Sequence, residues 1–294
     1  MNYQWYPGHM TKAKRMMEEN IKLIDLVIEI VDARIPISSR NPDIDSLAVN
    51  KARIILLNKS DLADDKITNQ WINYFNENNI YCLKLNSRNN SGIKQVNGLI
   101  MTACADKIER NKQRGILNRP IRAMVVGIPN VGKSTFINSY AGKASAKTGN
   151  KPGVTKGKQW IKLNKNVELL DTPGILWPKF DNQEVGKRLA MIGSMNDEIL
   201  NVEELAIDTI KYIYSEYSGN VIERYGLDKE KTAASYDENA INPDNSVALY
   251  IMEQAAVKRG CIKKGNNIDY EKISNIILDD FRSGRLGRIS LETP

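Results

Sequence analysis

The chain of 294 residues has little cysteine, a single histidine and no long apolar run. Cys82, Cys104 and Cys261 are odd in number, far apart and without metal-ligand spacing. That argues against a disulfide framework or a zinc site and for reduced thiols that are buried or idle. No stretch approaches the ~20 apolar residues a membrane helix needs, and the opening MNYQWYPGHMTKAKR lacks the apolar core of a secretory signal. A cytoplasmic protein with no membrane partner is expected. Internal repeats and low-complexity tracts are absent. Acids are scarce in one region: residues 101–165 hold 14 Lys/Arg against two acids, Asp106 and Glu109, whereas 166–250 hold 16 acids and seven bases. The net charge of +7 is therefore unevenly spread. Such a distribution is the footprint either of a polyanion partner or of a solvated helix face beside a phosphate-binding loop.

What is present is ordinary globular material, 41% hydrophobic and 26% charged. A chain of this size buries roughly 75% of its unfolded surface, enough for one large domain or two ordinary ones. Residues 25–31, 53–57, 80–85, 121–126 and 167–170 are apolar and β-branched between polar turns, as buried parallel strands are. Helical spacing occupies 64–78 and 92–114. Strands alternating with helices imply a right-handed α/β sheet with sites at the strands' carboxyl ends. After Trp177-Pro178 strand signals stop, and amphipathic runs near 183–192, 201–217, 246–260 and 270–282 predict a helical second domain.

Gly127-Ile-Pro-Asn-Val-Gly-Lys-Ser134 matches G-x-x-x-x-G-K-[ST] between a strand and a helix. Backbone N–H groups of Asn130, Val131, Gly132 and their neighbours can then wrap a phosphate chain, helped by the positive end of the helix. Lys133 neutralises β/γ charge, Ser134 ligates Mg²⁺ and Thr135 donates to the α-phosphate. Asp171-Thr-Pro-Gly174 follows the next strand. It offers Asp171 for a metal-bound water and the Gly174 N–H for a γ-phosphate. Lys147–Lys156 between them is an aperiodic loop in which Thr155, or in competition Thr148, completes the metal shell; a purely structural turn is the alternative.

Which base is read is carried by Asn58-Lys59-Ser60-Asp61, again after a strand. Asp61 can accept from guanine N1–H and the exocyclic amine together, a pairing adenine cannot satisfy, and a site built on such polar pairing rejects a mismatch by about 10⁴–10⁵. The Lys59 stem lies over the base plane and Asn58 ties the loop to its neighbours. Asn86-Ser87 stands where a second base-contacting loop belongs, although such pairs are also common turn residues. GTP and GDP are the expected ligands.

The parts run base reader, second base loop, phosphate loop, switch loop, Asp-x-x-Gly, whereas the usual GTPase begins with the phosphate loop. This order, together with Trp5-Tyr-Pro-Gly-His-Met10, Val31-Asp-Ala-Arg-Ile-Pro36 and Asp171-Thr-Pro-Gly-Ile-Leu-Trp-Pro178, resembles the circularly permuted GTPases of ribosome assembly over essentially the whole chain. The expected fold class is α/β, a circularly permuted P-loop GTPase domain of three α/β/α layers over 1–178. A smaller all-helical, RNA-binding domain over 179–294 follows it. Permutation makes 92–120 a bridge between the old chain ends, and it leads Ile175–Pro178 directly into the helical domain, so that loss of the γ-phosphate contact repositions it.

Ile175 stands where many GTPases place a water-orienting Gln, so intrinsic hydrolysis is expected to be slow. Asn130 matches the position that ligates K⁺ in potassium-activated GTPases, unless it makes only a loop hydrogen bond. The resemblance offers His9 as a water-orienting residue; a surface or docking histidine is the alternative. It also implies the large (50S) ribosomal subunit precursor and its 23S rRNA as partners, with hydrolysis stimulated by the subunit and no DNA. Lys258-Arg259, Lys263-Lys264 and Arg282-x-x-Arg285-x-x-Arg288 suit an RNA backbone. The rival readings are a nucleotide-stabilised assembly scaffold and a membrane-surface or tRNA-modification switch.

Overall fold

Leu26–Asp32 form strand β1, and all seven residues are buried. A strand covered on both faces belongs in the middle of a parallel sheet with helices above and below. The computed structural model, which describes residues 15, 17–117, 119–142, 159–162, 166–171 and 182–294, places it there. Helix α1 (Asp43–Leu47) leads to β2 (Ala52–Asn58), α2 (Asp65–Glu77), β3 (Tyr81–Lys84), α3 (Ile93–Ala103) and α4 (Ala105–Gln113). Strand β4 (Ile121–Val126), α5 (Lys133–Ala141), β5 (Gln159–Lys162) and β6 (Val167–Asp171) complete the sheet, in the order β3-β2-β1-β4-β6-β5. All neighbours are parallel except β5 with β6. The chain moves outward from β1 to β3, then returns to pair β4 on the other side of β1, which sets a topological switch point between β1 and β4.

Helix α2 shows why the pattern folds this way. Asp64 caps its start, accepting from Lys66 N at 2.8 Å and Ile67 N at 3.1 Å. Trp71 and Phe75, four apart, then share one face, packed with Val31, Ile55 and Leu57 of the sheet. Each such side chain contributes about 1.5–3 kcal/mol on burial. All three cysteines are buried and free, and burial pushes the Cys82 and Cys104 thiols up to about 12. Among the described residues no helix is long and apolar enough to cross a membrane.

The expected helix over 92–114 is two helices, interrupted at Cys104 (φ −105°, ψ 11°). Periodicity continues across the break because a single non-helical residue hardly shifts the apolar stripe. The short antiparallel edge strand β5, with too few apolar residues to show a pattern, was not foreseen; nor was α1. The bridging segment also uses part of the local basic excess internally: Lys107 and Arg119 approach the Asp25 carboxylate at 3.4 and 3.7 Å, and Arg122 approaches Glu168 at 3.5 Å.

The chain divides into two compact units, one ending at Gln183 and rejoined by Glu292–Pro294, the other Glu184–Leu291. The expected division near residue 178 falls among 172–181, outside the described residues. The second unit contains α6 (Gln183–Met191), α7 (Val202–Tyr225), α8 (Lys229–Ala233), α9 (Ser246–Arg259) and α10 (Tyr270–Arg282). Helix α7 runs eight residues past its expected end at 217, with a kink at Tyr217 (φ −137°, ψ 44°). Buried Asp280 accepts from Arg224 Nε and Nη2, both at 2.8 Å, from Arg285 Nε at 2.5 Å and from Tyr225 Oη at 3.3 Å.

In the first unit the returning Glu292 carboxylate accepts from Ile37 N at 2.6 Å, Ser38 N at 3.0 Å and Ser38 Oγ at 2.7 Å, while its carbonyl accepts from Trp71 Nε1 at 3.2 Å. Glu292→Ala leaves these partly buried N–H groups without their acceptor and is expected to cost about 2–3 kcal/mol. Urea unfolding of the full chain measures it; an unchanged midpoint would show that water replaces the carboxylate freely.

Candidate functional site

Strand β4 delivers the phosphate loop. A Cβ at Gly127 would meet the Ile30 carbonyl oxygen at 2.6 Å, so only glycine lets β4 leave the sheet this close to β1. Gly132 has φ +89°, and a Cβ there would overlap the Asn58 amide. Asn130 also occupies the left-handed region, at φ +63°. Helix α5 begins immediately afterwards. Lys133, in its first turn, is 6% exposed. Ser134, Thr135, Asn130 and Gly132 are half-buried, and Val131 is fully buried.

Strand β2 leads into residues 58–61, and one side chain joins this loop to the phosphate loop. The buried Asn58 amide nitrogen donates to the Val131 carbonyl at 2.7 Å. Its oxygen accepts from Ser87 N at 3.0 Å and Ser87 Oγ at 2.9 Å. Ser139 Oγ on α5 donates to the Ser87 carbonyl at 2.6 Å, and Ser60 donates to the Leu85 carbonyl from both N, at 3.2 Å, and Oγ, at 3.0 Å. Segments 58–61, 85–87 and 127–134 thus converge at the carboxyl ends of β2, β3 and β4. Asp61 is exposed.

The Asn86 side chain turns inward: its oxygen accepts from Arg88 N at 2.9 Å and Asn89 N at 3.4 Å and shapes its own loop. Ser87 is likewise tied to Asn58. The side chains of this second loop therefore hold geometry. Asp171 ends β6 with its backbone paired to Val125, two residues before Gly127. His9, Thr148, Thr155, Gly174 and Ile175 lie outside the described residues.

One constellation escaped the sequence reading. Asp32, at the tip of β1, is buried with Arg34 and receives the Lys59 ammonium at 3.0 Å. Burial by itself would raise the Asp32 pKa, but the charges and hydrogen bonds of Arg34 and Lys59 outweigh it and hold the carboxyl well below the usual range. The signal available was two opposite charges, Asp32 and Arg34, set inside the otherwise apolar run Val31–Pro36.

A parallel sheet with a phosphate loop after its fourth strand, bonded to a guanine-type loop after its second, defines a P-loop GTPase whose chain is circularly permuted. The family described as "50S ribosome-binding GTPase" matches residues 122–239. The ribosome biogenesis GTPase A of Bacillus cereus is 46% identical over 100% of this chain and 95% of its own. A GDP-bound structure of TM YlqF aligns with TM-score 0.65 at 26% identity, over 95% of this chain and 99% of that one. The GNP-bound YlqF of Thermotoga maritima aligns with TM-score 0.61 at 26% identity, over 96% and 98%. The chain belongs to the ribosome biogenesis GTPase A family.

Asn58→Ala removes the bond to the Val131 carbonyl and leaves the buried Ser87 N–H unpaired, a cost of about 1–3 kcal/mol. The expected result is a lower thermal midpoint in the absence of nucleotide, with weakened GDP binding by calorimetry. Full GDP affinity in the variant would mean that the loops are aligned by something else.

Proposed function

We propose that this GTPase binds the precursor of the large ribosomal subunit through its rRNA and uses GTP hydrolysis to time a late step of 50S assembly. The observation that supports the nucleotide part is the Asn58–Val131 hydrogen bond, which joins residues 58–61 to the loop 127–134. Asp61 is the residue for the purine edge, and Lys59 lies over its plane. Lys133, the N–H groups of 130–135 and the Gly174 N–H serve the phosphates.

Residues fit for Mg²⁺ are present. Ser134 is half-buried beside the buried Lys133, and Asp171 ends a strand level with Val125. Thr155 is the proposed third contributor. Held by these residues, Mg²⁺ would supply positive charge to offset that of the nucleotide's phosphates. Asn130, half-buried with its backbone in the left-handed region, is the proposed K⁺ ligand. His9 is proposed to orient water in the complex with the subunit, since an isoleucine at 175 has no group that bonds water.

The polyanion reading of the charge distribution supports an rRNA partner, with one revision inside the helical unit. Arg282 bonds the Met191 and Ala190 carbonyls and Asp197, and Arg285 is paired with Asp279 and Asp280, so both hold the unit together. Lys263 and Lys264 in the exposed turn between α9 and α10, with exposed Arg288, are better placed for an RNA backbone. Lys263 shares its charge with Asp269 at 3.2 Å.

Addition of large subunits is expected to raise GTP turnover by orders of magnitude, and the protein should cosediment with them in a non-hydrolysable GTP analogue but not in GDP. Stimulation absent while cosedimentation persists in both nucleotides would favour the scaffold reading. Replacing K⁺ by Na⁺ is expected to slow hydrolysis, and Asn130→Ala should abolish the difference between the two salts; equal rates in both would remove the monovalent cation from the mechanism.

A further inference from the structure

Asp32 ends β1, the strand lying between β2, which delivers the base-reading loop, and β4, which delivers the phosphate loop. It is fully buried. Its Oδ1 accepts from Arg34 N at 3.1 Å and Arg34 Nε at 2.9 Å; its Oδ2 accepts from Arg34 Nη2 at 2.9 Å and lies 3.0 Å from Lys59 Nζ. The main chain sets these positions. Asp32 is in register with Asn58, and Ala33 N donates to the Asn58 carbonyl at 2.8 Å. Asp32 N donates to Ser39 Oγ at 3.0 Å, and that hydroxyl donates to the Ile35 carbonyl at 2.6 Å, closing the loop on itself.

Lys59 needs such support. Its backbone is in the left-handed region at φ +57°, a conformation costly for a side chain with a Cβ, and its long flexible stem carries much rotamer freedom. The side chain is 25% exposed while its ammonium lies 3.0 Å from the Asp32 carboxylate. A lysine free in solution would lose its freedom when a base arrived. Here that loss has been taken during folding, and the stem presents a formed wall.

We propose that Asp32, braced by Arg34, is a positioning residue for guanine-nucleotide binding: it fixes the Lys59 side chain in advance as one face of the purine slot. The inference rests on residues 58–61 reading the base. It adds a division of labour. A face-on contact does not distinguish purines by their edges, so Asp32 raises the affinity of all of them by a common factor, whereas Asp61 does the discriminating.

The test is a double-mutant cycle on the full chain, with GDP, IDP and XDP affinities measured by calorimetry. Asp32→Asn is expected to weaken GDP and IDP alike by about ten- to thirtyfold, the upper end being the rotamer freedom of one lysine chain expressed as a dissociation constant. Lys59→Met should cost a similar factor, and adding Asp32→Asn to Lys59→Met should change affinity by less than about twofold. An Asp32 acting only through its pair with Arg34, and not through Lys59, would cost the same factor in both backgrounds, and that additivity, or an unchanged GDP affinity in Asp32→Asn, overturns the proposal. Should Asp32→Asn leave Arg34 too destabilising to fold, the paired change Asp32→Asn with Arg34→Met removes both buried charges and enters the same cycle with the same expectation. Asp61→Asn, run alongside, separates the two levels: it should shift preference from GDP to XDP, and failure of that shift would bring down the base-reading assignment itself and the Asp32 inference with it.

Discussion

The pocket depends on one amide. Asn58 is a donor to the phosphate loop and an acceptor from the second base loop, and both bonds are buried. Left unpaired in that position, either half of the amide would carry the full desolvation cost of a polar group. Three segments far apart in the chain are therefore locked in a single arrangement, and Gly132 is required because any Cβ would occupy the space of the amide. Residues 58–61, 85–87 and 127–134 are held together by this one side chain.

Charge is buried beside this staple in a second layer. Asp32 is paired with both Arg34 and Lys59 at the tip of β1, and Glu29, three residues earlier, is held by Arg40 at 3.2 Å and Arg53 at 3.4 Å. A buried pair of this kind adds little net stability, since desolvation offsets much of the attraction, but losing one partner is costly. Such groups fix geometry, and here the geometry they fix is that of the loops following β1 and β2. Asp32 and Glu29 lie on β1, the first strand among the described residues and an inner one of the sheet.

Permutation explains that arrangement. In this order the central strand and the base reader are made first, and the phosphate loop must be brought back against β1 by α3 and α4. Asp25 secures the returning strand at its start, exchanging backbone and side-chain bonds with Arg122 and drawing in Lys107 and Arg119. The last three residues return as well, to the loop after β1 and to Trp71 on α2. The same loop that carries Arg34 is thus held by Ser39 from within and by Glu292 from the far end of the chain.

Much of this was legible in the sequence because short-range rules decide it. Apolar β-branched runs between turns can be little else than buried strands, and G-x-x-x-x-G-K-S between a strand and a helix needs its glycines for backbone reasons that act within eight residues. The Asn-Lys-x-Asp loop and the permuted order follow from residue type and position alone. Tertiary structure decided the rest. It broke the helix at Cys104, added the edge strand β5, turned Asn86 inward, committed Arg282 and Arg285 to internal pairs, and set Asp32 against Lys59. The Asp32–Lys59 and Arg282 contacts depend on which distant group supplies a partner for a polar side chain. Local pattern records whether a side chain wants water or not, but the identity of the partner exists only once the chain has closed in space.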